Sequence, residues 1–179
     1  MTTVQRNTRE TRIHASISDD FTLTSIDTSI PFLDHMLHTL ARYSGLGVVV
    51  EARGDLRHHI AEDVAICLGK ALSSFATETC ARYGDRTIPM DDALVQCVLD
   101  LGGRPYYRGP LPNRLYDHWL RSFSDNAGAT IHLRVIRGRD RHHIIEAAFK
   151  ALGLALADAL RDTDAVFSTK GSAVVEVEP

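Results

Sequence analysis

The sequence lacks long hydrophobic runs, paired cysteines and a strong charge of either sign. Its 179 residues contain no apolar stretch close to the roughly 20 residues that a membrane-spanning helix needs, and the N-terminus lacks the apolar core of a signal peptide. A formal net charge of −3 argues against nonspecific nucleic-acid binding. Three cysteines without a CxxC pair are typical of a reducing compartment. We therefore expect a soluble, cytoplasmic protein that binds neither nucleic acid nor membrane.

Histidine, by contrast, is abundant and clustered. Six of the nine histidines fall into two similar arrays. The stretches RHHIAEDVAICLGKAL and RHHIIEAAFKALGLAL both place His-His-x-x-Glu at the head of a helix-like apolar run. An Asp-His pair precedes each doublet, with His35 lying 23 residues before His58 and His118 lying 24 residues before His142. This repetition predicts a duplicated structural unit.

The segments around the histidines predict the same order of elements in both halves. GVVVEARGD and TIHLRVIRGRD are rich in β-branched residues and predict strands. Helices are predicted on either side of each strand, since apolar residues recur there at helical spacing. TRIHASISDDFTLTSID and ALVQCVLDLGGRPYYRG each predict a hairpin, turning at Asp19-Asp20 and Gly102-Gly103 respectively.

The predicted fold is therefore α+β, with a β-β-α-β-α unit that occurs twice and a layer of helices packed on sheet. Residues 1–86 form the first half and residues 87–179 the second, within one compact unit, and Thr77–Pro89 is predicted to join them.

The His-His-x-x-Glu pattern is suited to binding two metal ions. Residues three and four apart share a helix face, so each histidine of a doublet can approach its glutamate. Adjacent residues point about 100° apart, so His58 and His59 should serve two different ions, and so should His142 and His143. With the upstream histidines, two ions would each receive three imidazoles and one carboxylate. That donor set suits Mn, Fe, Co or Zn, and positions left for water or substrate favour six-coordinate Mn²⁺.

Simpler interpretations exist for each part alone. A single His-His-x-x-Glu is more often a solvated polar helix start, and His35 alone would more often be a core histidine. The duplication favours ligation, because packing does not require histidine at equivalent places twice. Metal ligation also leaves open a di-metal hydrolase or a non-catalytic metal-binding shell protein.

Seven short motifs add a family resemblance. FLDHML, HHIAEDVAI, RYGD, DDALV, LDLGGRPY, HHIIEAAFKAL and STKG stand in the order found in imidazoleglycerol-phosphate dehydratases, and the match runs from about Glu10 to Gly171. The resemblance implies a hydro-lyase of L-histidine biosynthesis that converts D-erythro-imidazole-glycerol phosphate to imidazole-acetol phosphate. It also implies two halves, each with a four-stranded sheet and two helices, and a homo-oligomer of 24 subunits with active sites at subunit interfaces.

The resemblance implies specific roles for residues of this chain. The ligands of two manganese ions per active site would be His35, His58, His59, Glu62, His118, His142, His143 and Glu146. Phosphate would be bound by Arg82, Arg104, Ser168 and Lys170, groups whose chemistry suits a dianion. Tyr43 stands where family members commonly have a substrate-contacting histidine.

The expected mechanism uses carboxylates near the substrate carbons. The resemblance makes Glu10 a candidate general acid/base, which we expect to remove the C2 proton. Glu146 or a metal-bound water would assist departure of the hydroxyl, and Asp91 would act as a supporting group or proton shuttle.

Overall fold

Residues 1–102 and 104–166 are described by a computed structural model of the chain. The first sheet contains β1 (Thr2–Asn7), β2 (Thr11–Ser18), β3 (Ser25–Asp27) and β4 (Gly47–Gly54), in the order β1-β2-β4-β3. β1, β2 and β4 are antiparallel neighbours, whereas β3 pairs parallel with β4. The helices that accompany this sheet are α1 (Pro31–Ser44) and α2 (Arg57–Phe75).

The second sheet repeats this arrangement. It contains β5 (Tyr83–Met90), β6 (Ala93–Asp100), β7 (Tyr106–Arg108) and β8 (Thr130–Arg137), in the order β5-β6-β8-β7, with β7 parallel to β8. Its helices are α3 (Arg114–Ala127) and α4 (Arg141–Ala159). The predicted α+β duplication, with four strands and two helices in each half, is confirmed.

Both predicted hairpins are wrong. β2 and β3 do not pair, and neither do β6 and β7, because β4 and β8 lie between them. The true hairpins are β1-β2 and β5-β6, whose first strands the sequence analysis missed. The segment expected to join the halves contains β5, so the predicted boundary after residue 86 falls inside a strand of the second sheet.

Helix ends follow local chemistry. Pro31 opens α1 at the position where its missing N–H costs nothing. Gly45 ends α1 and Gly128 ends α3, both with left-handed backbone (φ 75° and 63°) that glycine adopts without a Cβ penalty. Asp140 caps α4 by accepting the His142 N–H at 2.7 Å. This cap fixes the helix start that carries the second doublet.

The helices of the two halves pack against each other across the molecule. α2 lies on β1 and β2 and contacts α3, and α4 lies on β5 and β6 and contacts α1. Trp119, Phe123 and Phe149 are fully buried, with the Trp119 ring 5.2 Å from each of the two phenyl rings. Each helix contact therefore joins one element from each half. Within residues 1–102 and 104–166, no helix is both long and apolar enough to cross a bilayer.

Candidate metal centre

The first cluster of candidate ligands combines residues of both halves. His58 and Glu62 lie one turn apart at the start of α2, and His118 approaches them from α3. Glu62 Oε2 is 3.6 Å from His58 Nε2, and Glu62 Oε1 is 3.4 Å from His118 Nε2. The His58 and His118 rings stack at 4.9 Å. One donor atom from each residue lies within 4.8 Å of the others.

The second cluster is the counterpart of the first. His142 and Glu146 start α4, and His35 approaches from α1. Glu146 Oε2 is 3.2 Å from His142 Nε2 and 3.4 Å from His35 Nε2. The packing of α1 on α4 and of α2 on α3 explains why each doublet meets the upstream histidine of the other half.

The second histidine of each doublet points away from these clusters. The rings of His58 and His59 are 6.2 Å apart at 65°, and those of His142 and His143 are 6.0 Å apart at 89°. His59 Nδ1 lies 2.8 Å from Asp55. That carboxylate raises the pKa of His59 and has its own pKa lowered. Within the chain, the doublets therefore do not chelate one ion.

His143 is held in the same way by Asp92. Its Nδ1 lies 2.8 Å from Asp92 Oδ1, which raises the pKa of His143 and lowers the pKa of Asp92 to about 2. Asp92 also accepts the N–H groups of Arg139 and Asp140, at 2.6 and 3.2 Å. With Nδ1 held, each imidazole presents Nε2, as orienting carboxylates do for metal-bound histidine. Neither Asp55 nor Asp92 was predicted from the sequence.

Glu10 and Asp91 occupy equivalent places in the two halves. Glu10 lies in the β1-β2 turn with its carboxylate 3.6 Å from His59 Nδ1, and Asp91 lies in the β5-β6 turn 3.4 Å from His143 Nε2. Both carboxylates are largely exposed. Asp91 has a left-handed φ of 46°, an uncommon conformation for a residue with a side chain. Each candidate acid/base therefore stands next to an outward-facing histidine.

Lys150 is a further charged residue at the second cluster. Its Nζ is 2.9 Å from Glu146 Oε1 and 5.6 Å from the centre of the Tyr43 ring. Burial alone would raise the pKa of Glu146, but Lys150 and the His35 imidazole outweigh it, and the pKa is lowered. Burial likewise opposes the charge on Lys150, yet the carboxylate raises its pKa. The spacing of four residues between Glu146 and Lys150 is the signal that the sequence analysis overlooked.

The donor set fits divalent cations. Both clusters offer imidazole nitrogen and carboxylate oxygen, the mixture that binds Mn, Fe, Co or Zn. His118 Nε2 is buried and has no hydrogen-bond partner, although it faces the Glu62 carboxylate. A buried polar atom of this kind costs free energy unless another group satisfies it, and a metal ion would do so.

Two of the predicted phosphate-binding residues, Arg82 and Arg104, lie near the opposite end of α4 from His142. The Arg82 N–H donates to the Ala159 carbonyl at the C-terminal end of α4, about 25 Å along the helix from His142. The Arg82 guanidinium makes two bonds to Asp100, of 2.6 and 3.0 Å, which lower the pKa of Asp100. Arg104 is exposed near the start of β8 at this same end. Ser168 and Lys170 lie outside the described residues.

Comparison with known proteins gives a consistent result. The family model described as imidazoleglycerol-phosphate dehydratase matches residues 28–156. A dehydratase of this name from Pyrobaculum calidifontis is 45% identical over 93% of this chain and 97% of its own. The crystal structure of IGPD from Pyrococcus furiosus in complex with (S)-C348 matches with a TM-score of 0.86 and 37% identity, over 95% of this chain and all of that one. The crystal structure of imidazoleglycerol-phosphate dehydratase from Staphylococcus aureus matches with a TM-score of 0.82 and 37% identity, over 90% of this chain and 99% of that one.

Proposed function

Because the chain belongs to the imidazoleglycerol-phosphate dehydratase family, we propose that its two clusters hold two manganese ions at the catalytic centre. The reaction is the dehydration of imidazoleglycerol phosphate in histidine biosynthesis, and the enzyme is a hydro-lyase. The family is metal-dependent. The observation that carries the metal assignment is the matched pair of His-His-Glu clusters, each built from both halves. Neither the hydrolase nor the shell-protein alternative has separate support.

The outward histidines support an active site shared between subunits. Each cluster has two imidazoles and one carboxylate, whereas the sequence predicts three imidazoles for each metal ion. His59 and His143 carry the missing imidazoles and face away, so a neighbouring subunit would bring them to a cluster. The remote position of Arg82 points the same way, since its guanidinium lies too far from His142 to hold the same small substrate within one chain. We propose a homo-oligomer, of 24 subunits as the resemblance implies.

The carboxylates would take different roles in the reaction. Divalent cations held by the clusters would orient the substrate's imidazole and stabilise negative charge on it. Glu10 is exposed and adjacent to an outward histidine, which suits a base that removes the C2 proton of an arriving substrate. Glu146 is ion-paired to Lys150, so it would remain a carboxylate that holds a metal ion, and the proton that the departing hydroxyl needs would come from water at the site. Asp91 would support His143.

The phosphate would be bound away from the metals. Arg82 is aligned by Asp100 and, with Arg104, presents cationic groups at one end of the second half. Ser168 and Lys170 would complete this site, and Tyr43 would contact substrate in place of the family's usual histidine. The site would therefore combine the cationic end of one subunit with the cluster end of another.

A cytoplasmic location is also proposed. Cys67, Cys80 and Cys97 are all free and buried, which suits a reducing compartment.

The experiment that tests the function uses the full chain and imidazoleglycerol phosphate. Turnover should disappear after a chelator removes metal and return with Mn²⁺. Glu10→Gln should lower kcat by about 10²- to 10⁴-fold while Mn²⁺ binding stays unchanged, and Asp19→Asn, at an exposed position, serves as the control. Near-normal turnover of Glu10→Gln would exclude Glu10 as the base, and turnover that persists without metal would exclude the metal role.

A further inference from the structure

The two clusters differ at the position four residues after each glutamate. Glu62 is followed by Ile66, whereas Glu146 is followed by Lys150. In a duplicated unit whose histidines and glutamates are matched, this replaces an uncharged side chain with a cation on the same helix face. The difference lies next to the ligands themselves.

The carboxylates of Glu62 and Glu146 consequently have different contacts. Each oxygen of Glu62 faces one imidazole, His118 at 3.4 Å and His58 at 3.6 Å. In Glu146, one oxygen faces both imidazoles and the other accepts Lys150 Nζ at 2.9 Å. The first cluster therefore offers a metal ion two carboxylate oxygens, and the second offers one.

Lys150 is held in place beside this second carboxylate. Its Nζ contacts Met90 Sδ at 3.0 Å and lies 5.6 Å from the centre of the Tyr43 ring. The side chains of Lys150 and Glu146 are 16% and 10% exposed, against 36% for Glu62. Solvent therefore screens the Lys150 charge less than it would screen a surface lysine. A fixed ammonium at this distance opposes a dication and weakens the carboxylate as a donor.

We infer that Lys150 makes the two metal positions unequal, so that the Glu62 cluster binds a divalent cation more tightly and fills first. The Glu146 cluster fills second, at higher free metal. This inference rests on the proposed role of the clusters in binding metal.

The test is a Mn²⁺ titration of the metal-free, full-length protein, with free Mn²⁺ followed by electron paramagnetic resonance. The wild type should show two classes of site, one ion per chain in each, whose dissociation constants differ by about tenfold or more. Glu62→Gln should weaken the tight class and Glu146→Gln the weak class.

A reciprocal exchange separates charge from position. Lys150→Ile should strengthen the weak class and bring the two classes together, while Lys150→Arg, which keeps the charge, should leave them apart. Ile66→Lys introduces the cation at the half-buried equivalent position and should weaken the tight class. If Ile66→Lys does not fold, the comparison of Lys150→Ile with Lys150→Arg still decides the question.

Two results would overturn the inference and leave the proposed function intact. One is a single class of two equal Mn²⁺ sites per chain in the wild type, and the other is an isotherm that Lys150→Ile does not change. A protein that binds no Mn²⁺ at all would instead refute the proposed metal role.

Discussion

Two glycines allow the helix contacts that form the clusters, and replacing them should separate the ligands. Gly69 on α2 faces α3, and a Cβ there would lie 2.6 Å from the Phe123 carbonyl oxygen. Gly153 on α4 faces α1, and a Cβ there would lie 2.8 Å from Tyr43 Cβ and 3.0 Å from the Leu40 carbonyl oxygen. Ordinary contacts begin at 3.4 Å. Alanine at either position should therefore displace one helix of the pair by roughly 0.5–1 Å.

The displacement has two measurable consequences. Overpacking costs about 1–3 kcal/mol, and the better helix propensity of alanine returns about 1 kcal/mol, so Gly69→Ala should lower the free energy of unfolding by up to about 2 kcal/mol. For a chain of this size that lowers Tm by up to about 8 °C. Metal–ligand distances tolerate only about 0.2 Å, so Mn²⁺ affinity should fall about tenfold or more at the cluster that contains His118.

The assays are thermal unfolding of the metal-free protein and Mn²⁺ titration. Gly153→Ala should impair the other cluster, that of His35, and Ser73→Ala, an exposed substitution on α2, should change neither measurement. If Gly69→Ala and Gly153→Ala bind two Mn²⁺ ions with wild-type affinity, helix spacing does not set the cluster geometry and the reasoning is refuted.

Three further predictions concern side-chain chemistry. Asp92→Asn should release His143 Nδ1 and lower Mn²⁺ affinity about 10- to 100-fold, measured by the same titration. In the metal-free protein the Asp92–His143 pair stabilises the fold while both groups are charged. The stabilisation by this pair should be lost as pH falls from about 4 to the lowered pKa of Asp92, about 2. It should also be lost as pH rises through the raised pKa of His143. A Tm difference between wild type and Asp92→Asn that does not vary with pH would contradict both expectations. Burial raises the pKa of the Cys67 thiol to about 11, so iodoacetamide at pH 8 should label Cys67 only after unfolding. Labelling is measured by mass spectrometry, and labelled Cys67 in the native protein would contradict the prediction.

The sequence predicted helices and strands where periodicity was strong and failed at sheet edges. β1 and β5 are edge strands in which polar or exposed residues interrupt the pattern. Pro89, the end of the predicted joining segment, lies in β5, because an edge strand tolerates a residue without an N–H. The false hairpins have a different cause, because the parallel pairing of β3 with β4 runs through α1. Local alternation contains no information about such a crossover.

The site shows the same division between local and long-range information. The divergence of His58 from His59 follows from helix geometry and was predicted. The partnership of His58 with His118 was not predicted, because it depends on how α2 packs on α3. Asp92 was missed for a related reason, since it lies 51 residues from His143 and meets it only through the fold. Fixed spacing identified candidate ligands, and tertiary packing determined which of them meet.

The exchange of ligands between halves explains why the unit is present twice. Neither half contains a complete cluster, since His35 meets Glu146 and His118 meets Glu62. Two copies of a half that pack helix to helix create both clusters at once, because the contact of α1 with α4 is repeated by that of α3 with α2. Once the copies share one chain, they can change independently, and Lys150 opposite Ile66 is such a change. Duplication thus supplies paired metal positions, and divergence can then make them unequal.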